Sequence, residues 1–377
     1  MPHGRPQWSQ YLLGLGYPEG ESALDCASLS DSAYQVQARN AVEDAVAGYT
    51  ATDASVAVQY IGATALSIPA GFFSTADLLL EDFMADDLGL NRARPTINLN
   101  FAVWSVLTDQ NNPQQVVGVQ GWDLLSQVQR TFRAKKVVLA AGTIESAKIA
   151  LQSQLHDPNG KIGRGLTDHT IRYRHFTLPP GSELTSPGDS AKILLRHPQA
   201  APGQHAFDIV VELGSEFNQG RYIDPEHLAQ ERAERGDWMM CELVFMSYAD
   251  LNEDNYLTAA GAPGDPVTVM VNRTLPSARD LAEADQLAGA FFNKFGAEPV
   301  LGENGLGLLD ADLGGVAHEV GTLRMAGDGT GIVDADLKFL DYDNLFACDN
   351  SVFPTSPAAN PSLTLAALAL RLADHLM

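Results

Sequence analysis

His318 and Asn360 are the two polar residues of this chain whose types and settings could do chemistry. His318 lies in the run Gly314-Gly315-Val316-Ala317-His318-Glu319-Val320-Gly321-Thr322. An imidazole suits proton transfer because its pKa lies near working pH, so the neutral form is populated and the exchange is close to thermoneutral. Any one of the nine histidines taken alone is more often a surface or core residue than a base. Asn360 lies in Ala359-Asn360-Pro361-Ser362. A residue before proline avoids the helical region, and proline at the first helical position forfeits no hydrogen bond. Asn360 is therefore placed to cap a helix starting at Pro361, a use worth about 1 kcal/mol that is compatible with a second role in chemistry.

The elements that must hold these residues are α/β in character. Residues 135–142 hold a short, continuous apolar run, the pattern of a buried parallel strand, and residues 143–155 follow at helical spacing. The small residues Ala140, Ala141 and Gly142 would let a ligand approach the backbone closely. Near the C-terminus, residues 344–349 read as an apolar strand ending in the carboxylate of Asp349, and residues 362–377 as a strongly apolar helix. These two blocks are expected to belong to one sheet, split by an insertion. Within the insertion, segments such as 206–213 and 239–246 alternate like strands, and residues 278–295 read as a helix. Before the first block, residues 95–134 carry three apolar runs separated by turn residues, which predicts an antiparallel meander. Earlier still, residues 34–47 read as a polar helix. The early glycine cluster, Gly14-Leu15-Gly16-Tyr17-Pro18-Glu19-Gly20, lacks the spacing of a nucleotide loop and follows no buried strand.

Composition narrows the function classes. With 47 acidic against 24 basic residues the formal charge is −23, a field that repels nucleic acid and anionic membranes. Cys26, Cys241 and Cys348 are far apart and form no paired motif, which argues against a disulfide framework and a structural zinc site. Residues 1–5 have no apolar core behind their charge, and no run approaches the roughly 18 apolar residues of a membrane span, so a cytoplasmic protein is expected.

Three segments in a fixed order carry a resemblance. They are Lys136-Val137-Val138-Leu139-Ala140-Ala141-Gly142-Thr143-Ile144-Glu145-Ser146, then Ile162-Gly163-Arg164-Gly165-Leu166-Thr167-Asp168-His169, then a terminal run from His318 to Asp374. The terminal run holds His318–Met325, Asn344–Asp349, Ser351-Val352-Phe353-Pro354-Thr355 and Asn360-Pro361-Ser362-Leu363-Thr364. Together they resemble the glucose–methanol–choline (GMC) family of flavin oxidoreductases, particularly its pyranose-oxidase-like branch, over roughly residues 70–377. The family's N-terminal dinucleotide fingerprint has no counterpart here. The fold this implies is α/β: an incomplete FAD-binding Rossmann-like sheet with an inserted, mainly antiparallel β substrate domain. Residues 1–94 would join the substrate domain, 95–172 and 312–377 would form the two parts of the FAD-binding-type domain, and 173–311 would be the substrate domain.

The resemblance implies FAD as cofactor and a small-molecule alcohol or sugar as substrate. His318 would take the hydroxyl proton while hydride leaves the same carbon for flavin N5, and Asn360 would hold the hydroxyl opposite it. Gly142 and Thr143 would lie at the pyrophosphate-side turn, where Thr143 is also placed to cap the next helix. Asp349, with Asn350 beside it, would accept hydrogen bonds from ribityl hydroxyls or lie near the pyrophosphate; a strand-end turn is the bland alternative. Asn360, Pro361 and Ser362 would present a helix start to the flavin pyrimidine, where negative charge accumulates on reduction. Asp168 and His169 would be structural or cofactor-proximal; no second histidine or cysteine sits at metal-ligand spacing from His169, so no metal is expected. Arg324 and Met325 would be packing residues. Two alternatives remain: a flavin-free relative with a binding role or non-redox acid–base chemistry of lyase or isomerase type, and a fragment whose N-terminal flavin-binding part lies on a second chain. A homo-oligomer is equally compatible. A truncated sheet would expose an unpaired edge.

Overall fold

A computed structural model of the chain describes residues 11–24, 26–27, 32–54, 56–57, 75–84, 89, 95–197, 207–214, 225–259, 261–262, 264–312, 314, 317–326 and 330–377. The reading of residues 1–5 lies outside them. Among the described residues, the largest sheet has seven strands, all antiparallel, in the order Glu298–Pro299, Thr170–Leu178, Met239–Ser247, Phe207–Leu213, Ala191–Arg196 and Thr50–Asp53, with Leu309–Asp310 also on Thr170–Leu178. Period-2 alternation explains one face of it. Ile193, Leu195, Phe207, Ile209, Val211, Leu243 and Phe245 are all buried in one core.

Two helices cover that face. Ala278–Phe295 offers Ala284, Ala288, Phe291, Phe292 and Phe295, the three-to-four-residue stripe of an amphipathic helix. Its bounds are those the sequence predicts. Ser277 caps it by accepting a hydrogen bond from the backbone N–H of Asp280, and Gly296 at φ 64° ends it in the left-handed region. Ala33–Ala45, the expected early helix, adds Tyr34, Ala38, Ala41 and Val42.

A second core underlies the two α/β blocks. Val137–Leu139 pairs in parallel with Leu345–Ala347, residue for residue, so segments some two hundred positions apart share one sheet. That sheet has two strands among the described residues, fewer than a Rossmann-like sheet implies, and the second is shorter than the predicted 344–349. The meander is as expected: Phe101–Thr108, Val116–Asp123 and Val128–Arg133 in antiparallel order. Asn344 joins meander to parallel pair. Its carboxamide donates to the carbonyls of Val116 and Lys135 and accepts from the N–H of Val116, so a buried polar side chain has its bonds made.

The C-terminal helix, Ser362–Leu376, buries Ala367, Leu368 and Leu372 against this core. The early glycine cluster lies on it as a helical segment, Leu12–Gly16 followed by Tyr17–Ala23. A Cβ on Gly16 would sit 3.2 Å from that of Ala367, and one on Gly20 would sit 3.2 Å from Leu363, so these glycines allow two helices to approach closely. No helix among the described residues is long and apolar enough to cross a membrane. Cys241 is buried and Cys348 partly so; burial raises both thiols, Cys348 to about 11.

Candidate active site

His318 is brought to its partner by backbone pairing. Thr167 and Val320 form an antiparallel bridge and exchange both N–H···O bonds, at 3.2 and 2.9 Å. Two residues onward on one segment lies opposite two residues back on the other, so His169 faces His318. Their rings meet edge to face with centroids 5.0 Å apart, and His318 Nδ1 lies 3.0 Å from His169 Nε2. His169 Nδ1 lies 2.9 Å from the carbonyl oxygen of Pro357. The residue before His318, Ala317, has φ 56°, an uncommon conformation for a side-chain-bearing residue, held where the histidine must be aimed.

Burial sets the electrostatics here. His169 is lowered from 6.5 to about 4, chiefly because its charged form would lose water, with the Pro357 carbonyl opposing and His318 adding to the shift. Asp168 is raised from 3.8 to about 7 by burial and by the charge of Glu319, against the hydrogen bonds it accepts from the backbone N–H groups of His169 and His318. Asp168 thus grips the backbone of both histidines.

The predicted flavin-side residues form a second cluster behind His318. The hydroxyl of Thr143 donates to the carbonyl of Glu319, and that of Thr322 donates to the carbonyl of Thr143. The N–H groups of Leu323 and Met325 donate to Ser351 and Val352, laying the histidine segment along residues 350–352. Asp349 is buried and fully engaged: it accepts from the N–H of Gly142 at 3.0 Å, the hydroxyl of Ser146 at 2.5 Å and the N–H of Ser351 at 2.9 Å. Its carboxylate therefore clamps the end of strand Leu345–Ala347 to the start of helix Thr143–Gln152. Arg324 reaches Glu253 and the carbonyl of Arg164 from the far side.

Two capping expectations are corrected. Gly142, at φ 89° and ψ 166°, holds the cap position that the sequence assigned to Thr143, because only glycine enters that conformation without strain. Asn360 does not cap the last helix. The chain is already helical at Pro361, which takes the cap position, and no side chain caps it; Asn360 is left exposed outside the first turn.

Asn360, with Ser362 exposed beyond it and Pro361 buried between them, belongs to another wall of the site. Asn360 lines a cavity of about 410 Å³ together with Pro357, Phe353, Tyr17, Arg196 and Asp208. His318 is not among the lining residues of this cavity. His169, through Pro357, is what ties the two groups together. Arg196 and Asp208, an ion pair at 3.1 Å contributed by adjacent strands of the large sheet, escaped sequence reasoning because nothing in an alternating strand marks one polar position as cavity-lining. The contact of His169 with His318 escaped too, although both segments carried the resemblance.

Residues 268–369 match the GMC oxidoreductase C-terminal family. Paromamine 6'-oxidase of Streptomyces fradiae is 24% identical over 298 residues, 74% of this chain and 52% of that protein. C-glycoside 3-oxidase of Microbacterium trichothecenolyticum is 42% identical over 66 residues, 17% of this chain and 13% of its own. The chain thus spans about half the length of the first relative and a short stretch of the second. Among solved structures, pyridoxine 4-oxidase from Mesorbium loti superposes with a TM-score of 0.60 at 17% identity, over 93% of this chain and 70% of that one. Formate oxidase of Aspergillus oryzae follows at 0.56 and 15%, over 75% and 61%. These likenesses are of fold.

Proposed function

We propose, from the match of residues 268–369 to the GMC oxidoreductase family, that the protein is an FAD-dependent oxidoreductase acting on an alcohol or sugar hydroxyl. The observation that carries this reading is the line from His318 through His169 to Pro357, which ends at the loop bearing Asn360 and at a cavity of about 410 Å³. His318 would take the hydroxyl proton, and Asn360, exposed at the cavity reached through Pro357, would offer its carboxamide to the substrate.

Two features of the chain fit a flavin. Gly142 leaves open space where a side chain would stand, at a helix start whose partial positive charge favours an anion, and Asn350 Oδ1 is buried without a hydrogen-bond partner. Gly142, Thr143, Asn350, Asn360, Pro361 and Ser362 would hold the cofactor, with Asp349 acting indirectly by fixing Gly142. When bound, FAD supplies the hydride acceptor. The 1–94, 95–172, 173–311 and 312–377 division stands as part of this proposal, as does a homo-oligomer or a second chain that completes the two-stranded parallel sheet.

One observation favours a second reading, a flavin-free protein with binding or acid–base chemistry: the N–H of Gly142 and all the hydrogen-bonding capacity seen at Asp349 are engaged within the chain. The visible spectrum separates the two. Purified or FAD-reconstituted protein is expected to absorb at about 450 nm, with flavin released on denaturation. A preparation that stays colourless after reconstitution, and oxidises no alcohol or sugar, sinks the redox reading.

A further inference from the structure

We propose that His169 is a positioning residue that fixes the tautomer of His318, holding the proton of that ring on Nδ1 and its lone pair on Nε2. The inference rests on the reading of His318 as the base and deepens it. A carbonyl oxygen only accepts, so the 2.9 Å contact between His169 Nδ1 and Pro357 requires the proton of His169 to be on Nδ1. A neutral imidazole protonated there has Nε2 as acceptor, and the group within reach of that Nε2 is Nδ1 of His318 at 3.0 Å. His318 must therefore donate from Nδ1. The opposite direction needs both nitrogens of His169 protonated, an imidazolium in a ring whose side chain is 1% exposed. Burial keeps His169 neutral down to about pH 4, which excludes that form under ordinary conditions.

The polarity of the relay thus runs one way: His318 Nδ1–H to His169 Nε2, His169 Nδ1–H to the Pro357 carbonyl. Its anchor is a main-chain atom that cannot change protonation. When His318 gains a proton on Nε2, its Nδ1–H remains the donor to His169, so no ring has to turn. The charged and titratable groups around the pair are Asp168, which accepts the backbone N–H groups of both histidines, Glu319 beside it, and Arg273 and Asp312, which line the small void against Asp168 and His169.

The test is nitrogen-15 NMR of the histidine side chains in the full chain near neutral pH. The expected wild-type spectrum shows His318 and His169 both protonated at Nδ1, with His169 not titrating until about pH 4. His169→Phe removes the acceptor and should turn His318 into a mixture of tautomers. His169→Gln, whose amide can donate to Pro357 and accept from His318, should return it to the Nδ1 form. A wild-type His318 protonated at Nε2, or a His318 signal unmoved by His169→Phe, overturns the proposal; the wild-type spectrum decides alone if the Phe variant does not fold. The readout is independent of turnover. Full turnover in His318→Ala, with the wild-type spectrum showing both rings protonated at Nδ1, would remove the base and leave the tautomer assignment standing.

Discussion

The two cores of this protein are held by different physics. The seven-stranded sheet and its two helices close over Phe176, Phe207, Phe245, Phe291, Phe292 and Phe295, rings packed edge to face at centroid distances from 4.8 Å for Phe291 and Phe295 to 6.0 Å for Phe291 and Phe292. The region around His318 is tied instead by buried polar groups: Asp349 to Gly142, Ser146 and Ser351; Thr143 to Glu319; Asn344 to the meander; His169 to Pro357. Apolar packing is non-directional and tolerates small displacements in direction, whereas a hydrogen bond loses strength steeply with angle. The first region supplies stability and the second supplies aim, which the proton transfer proposed for His318 would need.

That contrast can be broken at several points. Phe291→Ala, in the sheet core, is expected to lower unfolding free energy by about 3–5 kcal/mol, read by urea denaturation, while leaving the His318 tautomer unchanged. A large change in that histidine's NMR signal would show that the two cores are not separable. Asp349→Ala orphans two N–H groups and a hydroxyl at once, for an expected loss of about 3 kcal/mol. If the loss stays within about 0.5 kcal/mol, the clamp contributes no more than a surface contact.

His318→Ala should lower turnover by roughly a hundredfold or more, equivalent to about 2.7 kcal/mol of transition-state stabilisation, and lower stability by about 1–3 kcal/mol because the buried Nε2 of His169 loses its donor. Retained turnover would remove His318 from the chemistry. A smaller effect concerns pH. Asp168, raised on folding to about 7, contributes stability that is present below pH 3.8 and lost as pH rises through about 7. His169, lowered to about 4, contributes stability that is present above pH 6.5 and lost as pH falls through about 4. Between pH 4 and 6.5 the two slopes oppose each other in the wild type. His169→Phe should uncover the first, with denaturation midpoints falling as pH rises by up to about 1.4 kcal/mol per unit, and Asp168→Asn should uncover the second with the opposite sign. Parallel pH profiles for the two variants would refute the opposition. The least effect is expected at Asn360→Ala: without a capping bond to lose, stability should move by less than about 0.5 kcal/mol, and any loss of turnover would then report on substrate.

Local pattern made some of this legible. The stripe of residues 278–295 predicts its helix with the observed bounds because the spacing of apolar residues and the Ser277 and Gly296 signals are encoded within a few positions of each other. The strand at 135–142 and the one at 344–349 were readable as members of one sheet from their apolar runs, and their parallel pairing over Val137–Leu139 and Leu345–Ala347 bears that out. Capping at Asn360 and Thr143 was misread because both depend on the dihedral angles of a neighbour, Pro361 in one case and Gly142 in the other.

Residue type by itself determined that position 318 carries an imidazole, a group suited to proton transfer, that Gly142 can enter a left-handed conformation, and that phenylalanines at helical spacing will seek a core. Only the tertiary structure decided that His169 faces His318, since that follows from the pairing of Thr167 with Val320 across some one hundred and fifty residues of chain. It also decided that Arg196 and Asp208 reach the cavity of Asn360, and that the carboxylate of Asp349 is satisfied from within. The reason is physical: propensity and periodicity act over a few neighbouring residues, whereas the direction of a hydrogen bond between distant segments is set by backbone register, which no single segment contains.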